Sequence, residues 1–303
     1  MAAKRTIDTG RVDSLGRKIK ESGNKKVQES NVKNKAQEID NNGDNGIPDN
    51  LLNMHKMSEF DAHNMAFVYA HSPNASTEAL DYLADNRYHY VIENKNLSEQ
   101  GIICITNDFY DNVDVMKAVV KHPNTRLEEL EFCAVHPDPK VRAALASRDE
   151  GEHEFASELA FDSDDSVASS AVSNPRISQE SLNLALKSNE NIHNSAEQNP
   201  VLDEENMKYL IDAPGGPWHF DVLLNRSETP ANVIDYGVKK HGNPWAVHNN
   251  NTSSETLEYI YSSFSDNMRG GELAGLVMHP NCPQHVIDEL SQRKGLVDYI
   301  KSR

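Results

Sequence analysis

The chain repeats itself at short range, and nothing else in it constrains the fold as much. The segments VIENKNLSEQGIICI (91–105), AVSNPRISQESLNLAL (171–186) and VMHPNCPQHVIDEL (277–290) share one order: an apolar pair, Asn or His, a turn, then a second apolar pattern. Taking the residue after Asn/His as an anchor places anchors at Pro73, Lys95, Pro123, Arg148, Pro175, Pro200, Arg226, Asn250 and Pro280. The period is about 26 residues, and about nine units fill the chain from about 60 to 295. A unit that small cannot bury its own apolar face and must stack on its neighbours.

Five columns test the register. The position seven after the anchor is apolar throughout, from Leu80, Ile102 and Leu130 to Leu257 and Ile287. Three residues further come Leu83, Ile105, Cys133, Ala185, Leu210 and Leu290, broken only by Glu158. That i, i+3 stripe predicts a helix with one buried face. Before the anchor, Ala70, Ile92, Val120, Leu145, Val172, Leu223, Val247 and Val277 mark the end of a shorter first helix, with Glu197 the exception. The turn reads Ser72, Asn94, His122, Ser147, Asn174, Asn199, Asn225, Asn249 and His279, and the tolerance of Asn for left-handed backbone accounts for its place there. Ser76, Ser98, Ser178, Asp203, Thr229 and Ser253 then read as N-caps of the second helix, with Arg126, Gly151 and Pro283 in the same column.

The resulting expectation is an all-α, right-handed solenoid of about nine two-helix repeats over residues 51–303, preceded by a polar arm, 1–50. Only 37% of residues are hydrophobic, which suits a thin core with much surface. Of 47 acidic and 30 basic side chains, net −17, the arm holds ten Lys/Arg and eight Asp/Glu, so the body carries the whole acidic excess. The arm is too polar to bury itself. It reads as disordered, or as folding on a partner through Leu15 and Ile19 with Arg17, Lys18 and Lys20 around them. GLVDYIKSR is expected to cap the far end, with Leu296 and Ile300 turned inward.

The run HPDPKVRAALASRD (136–149) resembles the leucine-rich repeat variant family, grouped with HEAT-like α-solenoids. HPNTRLEEL (122–130) and SNPRISQESL (173–182) are similar to the second part of its unit. The resemblance implies a fold and leaves activity open. The iron–sulfur cysteine cluster of well-known members has no counterpart, because Cys104, Cys133 and Cys282 lie far apart.

No cofactor or metal is expected. The histidines show no HExxH or paired spacing, and PGGPW (214–218) and RGGEL (269–273) lack the features of a phosphate loop. Asp162, Asp164 and Asp165 lack the spacing and closing Glu of a calcium loop, and read as an acidic loop capping the helix that starts near Val167. Trp218, His219, Phe220, Trp245 and His248 read either as packing or as an aromatic partner-binding patch, with the acidic trio a second candidate contact. No nucleophile or carboxylate pair can be assembled, so no enzyme is expected. There is no apolar leader or membrane span, and a cytoplasmic or particle-associated reducing compartment is the expected location.

Three functions remain open. The first is a protein–protein interaction scaffold with a basic partner. The second is a structural or assembly accessory of a large particle, such as a virion component, docked through the arm. The third is an acidic DNA mimic that inhibits a DNA-binding protein. Direct nucleic-acid binding is disfavoured by the body's charge.

Overall fold

The computed structural model describes residues 46–149 and 155–293. Leu15, Arg17, Lys18, Ile19, Lys20, Gly151, Leu296 and Ile300 lie outside them. The described residues are helical, without strands. None of their helices is long and apolar enough to cross a membrane. The chain divides into two compact units between Phe109 and Tyr110.

In the first unit, α1 (Asp49–Leu52) and a 3-10 turn precede α2 (Glu59–Ala70) and α3 (Thr77–Asp85). A 3-10 segment, His89–Glu93, and α4 (Glu99–Asp108) follow. α2 packs on the 3-10 segment and α3 on α4, so like stacks on like. Ser58, Ser76 and Ser98 accept from Asp61, Ala79 and Gly101 N–H, satisfying helix-start donors. Leu80, Leu83, Val91, Ile102 and Ile105 are fully buried, each contributing roughly 1.5–3 kcal/mol.

The second unit alternates first helices with second helices. The first helices are α5 (Val113–Lys121), α7 (Pro139–Ala146), α9 (Asp165–Ser173), α11 (His193–Ala196), α13 (Gly216–Leu224) and α16 (Gly270–Met278). The second helices are α6 (Leu127–Ala134), α8 (Phe155–Leu159), α10 (Gln179–Ser188), α12 (Glu204–Asp212), α14 (Ala231–His241), α15 (Ser254–Phe264) and α17 (Gln284–Leu290). Between α14 and α15 the first-helix role falls to the 3-10 turn Pro244–His248, which holds Trp245. α5, α7, α9 and α11 pack consecutively, as do α12, α14 and α15, and the 3-10 turn packs on α16. The N-cap positions of these second helices are Arg126, Ser178, Asp203, Pro230, Ser253 and Pro283.

Within each unit a hydrogen-bond ladder ties successive turns together. Asn94 Nδ2 donates to Ala70 O (3.0 Å) and Ser72 O (2.8 Å). Asn174 Nδ2 donates to Ala146 O and Arg148 O (2.8 Å each). Asn199 does so to Val172 O (2.7 Å) and Asn174 O (2.9 Å), and Asn249 to Leu224 O (2.9 Å) and Arg226 O (3.0 Å). Meanwhile each Oδ1 accepts the N–H two residues on, at Asn96, Arg176, Val201 and Asn251. One side chain closes its own turn and satisfies two carbonyls next door, where buried backbone groups require partners.

The ladder corrects three expectations. Asn94, Asn174 and Asn249 are extended, with φ of −91°, −74° and −93°, so both ends of the amide explain the residue rather than left-handed tolerance. Two turns shift by one residue. Arg148, not Ser147, donates to Val120 O and His122 O; Arg226, not Asn225, donates to Glu197 O and Asn199 O. The shift puts buried Leu159 where Glu158 had broken the apolar column. Pro230, not Thr229, is then the N-cap position of α14, and Thr229 Oγ1 donates to Leu223 O (2.6 Å), as Thr125 does to Val119 O and Thr252 to Ala246 O.

Candidate interaction face

Helical phase sorts the first-helix side chains of the second unit. Positions equivalent to Val115, Val141, Val167 and Ile192 point inward, and all four are buried. His219 occupies that column in the corrected register, and Phe220 follows it into the core; they are 3% and 0% exposed. Both therefore leave the expected surface patch. Trp218 remains on the outside at 65% exposure, Trp245 at 50%, and His248 is exposed. The His248 ring lies 4.3 Å from that of Trp245, and a Cβ on Gly275 would stand 2.7 Å from its Cε1. Glycine at 275 thus lets the imidazole lie against α16, and burial there lowers its pKa.

His219 is buried for a reason the sequence does not display. Its Nδ1 is hydrogen-bonded to Glu197, the polar exception in the apolar column, which is itself 4% exposed. Desolvation raises the Glu197 pKa, against the opposing effect of the His219 hydrogen bond. The His193 ring stands 5.7 Å from that of His219, with its Nε2 2.9 Å from Leu186 O. With Arg226 on the Glu197 carbonyl, this is a buried polar knot joining α11, α13 and the following turn. It is closed to solvent and acts within the packing.

The acidic trio is engaged locally. Arg142 grips Asp162 through Nε–Oδ2 (2.7 Å) and Nη2–Oδ1 (2.9 Å), and these bonds hold the carboxyl below its ordinary pKa. Asp164 caps α9 by accepting from Ser166 N (2.9 Å), so that helix begins at Asp165, ahead of Val167. Asp165 accepts from Asn189 (2.9 Å) and Asn191 (2.7 Å).

What sequence reading missed is the outward side of α5, α7 and α9. Lys117, Lys121, Lys140, Ala143, Ser147 and Ser170 line a shallow recess of about 450 Å³. A second recess, about 460 Å³, shares Ser147, Asp149 and Ser170 and continues along Ser169, Ser173 and Ser195. Lys121, Ser147, Ser173, His248 and Met278 hold equivalent places just before their turns, and all are exposed. The side of the first helices is thus basic, then rich in hydroxyls, then aromatic along the sequence. The signal was available, because these columns alternate in fixed phase with the buried ones.

Among the described residues, no group of three or more His, Cys, Asp or Glu could hold a metal ion. Comparison with family models, curated proteins and solved structures finds no match to this chain.

Proposed function

We propose that the protein is a non-catalytic interaction scaffold, a right-handed α-solenoid of about nine leucine-rich-repeat-variant-like, HEAT-like units. The observation that carries this reading is the division of labour in the repeat. The ladder and apolar columns take up the buried groups, while equivalent outward positions vary freely from Lys to Ser to Trp. Such a frame presents an extended surface without needing a catalytic cleft. The second helices carry most of the acidic excess, as at Glu128, Glu131, Glu180, Glu204, Glu205 and Glu258. That side suits a basic protein partner. Affinity capture with cross-linking on the full chain should recover a reproducible partner at low salt that is lost as salt rises. Absence of any reproducible partner would overturn the reading.

A further inference from the structure

We propose that the recess around Lys117, Lys121 and Lys140 docks an extended acidic peptide segment of a partner protein. This rests on the scaffold reading and adds the place and chemistry of one contact.

The first support is charge complementarity. On a chain of net −17, α5 and α7 present three lysines to one recess, against one carboxylate, Asp149, and with Arg148 turned to the Val120 and His122 carbonyls. Lys117 meets Asp114 at 3.4 Å, an exposed pair of little strength. Lys121 and Lys140 are exposed and form no ion pair among the described residues. The contrast lies on α14, where another recess, of about 380 Å³, also holds lysines. There Lys239 pairs with Asp235 (2.8 Å) and Lys240 with Asp212, so two of the cations are already satisfied. Unpaired ammonium groups gathered at a recess leave an anion to be supplied from outside.

The second support distinguishes a peptide from a nucleic acid. Ser147 Oγ donates to Ala143 O (2.9 Å), Ser170 Oγ to Ser166 O (2.8 Å), and Ser173 Oγ lies 2.9 Å from both Ser169 O and Ser195 O. Each hydroxyl has one proton, and each is directed at a helix carbonyl. The lone pairs remain for the recess, so its floor accepts hydrogen bonds. An extended peptide brings N–H donors to that floor and carboxylates to the lysines. A phosphodiester backbone brings acceptors only, and a long polyanion would also meet the acidic second helices. Four first helices at 8–10 Å spacing would match an extended segment of about nine residues.

The test uses the full chain and a fluorescein-labelled peptide of alternating Glu and Ala, about nine residues long, followed by anisotropy at low salt. Saturable binding that weakens with salt is expected. Lys121→Glu with Lys140→Glu should reduce affinity about tenfold or more, Lys121→Gln with Lys140→Gln by less, and Lys208→Glu should have little effect. Both lysines are exposed, so the Gln pair should melt close to the parent, while the Glu pair, two charge reversals on an acidic chain, should melt only about 1–3 °C lower at low salt and still unfold in one cooperative transition. Failure of the peptide to bind, equal loss with Lys208→Glu, or tighter binding of an oligonucleotide at the same lysines would overturn the proposal. In affinity capture, a double Glu variant that keeps every partner refutes this recess and leaves the scaffold reading standing. Loss of all reproducible partners from the parent itself refutes the scaffold reading.

Discussion

A single amide sets the spacing between turns. Asn199 satisfies Val172 O, Asn174 O and Val201 N–H, all in or near the buried interior. Truncation to alanine strands three backbone groups and should cost roughly 2–4 kcal/mol, read as a lower denaturant midpoint. Histidine can perform the same pair of tasks. His279 Nδ1 accepts from Asn281 N–H (3.1 Å), which leaves Nε2 protonated to donate to Asn249 O (2.8 Å). Asn199→His should therefore recover a substantial part of what Asn199→Ala loses, and equal losses would refute this role. The recurrence of Asn and His was legible in the sequence; its cause was not, because the carbonyls to which the side chain donates lie a full unit away. Arg148 and Arg226 were misplaced by one residue for the same reason. A guanidinium can span two carbonyls from a longer side chain, so residue type gives no hint that it fills an amide's place.

At the scale of elements, apolar columns reported the helices and their buried faces well, since helix phase and burial are local properties. Pairings between elements were hidden. Glu197 and His219 lie on successive units, and each looks ordinary alone. Their burial makes a pH prediction. Desolvation raises the folded Glu197 pKa above its ordinary 4.5. Below that value the carboxyl is protonated in both states, and the pair's stability is fully present. As pH rises, the unfolded chain ionises first, so stability is lost until the folded carboxyl has also ionised. Glu197→Gln keeps an acceptor for His219 and removes the ionisation. Its stability relative to the parent should therefore climb as pH rises above about 4.5, then level off. Denaturant midpoints across pH 4–8 would measure this, and a constant or falling difference would exclude the desolvation account.

Across the whole molecule, −17 of net charge must coexist with folding. The acidic side chains recur on helices packed against each other, as at Glu78, Asp81 and Asp85 on α3 and Glu99 and Asp108 on α4. Helices in contact are spaced 8–10 Å apart, close to the Debye length of about 10 Å at 0.1 M salt. Repulsion between neighbours is thus felt at low ionic strength and screened at about 0.5 M. Salt also weakens the attractive pairs Lys187–Glu205 (3.2 Å) and Lys239–Asp235 (2.8 Å), but exposed pairs of this kind contribute only about 0–1 kcal/mol. Repulsion therefore wins, and Tm should rise by about 2–5 °C between low salt and about 0.5 M sodium chloride. Chloride is the right anion for the measurement, because sulfate stabilises proteins through exclusion whatever their charge. Glu131→Lys, an exposed change on α6, should raise Tm at low salt by about 1 °C and flatten the salt slope. A Tm that is flat or falls with chloride would mean that the acidic groups are held far enough apart, or paired well enough, for their excess to impose no cost on the fold.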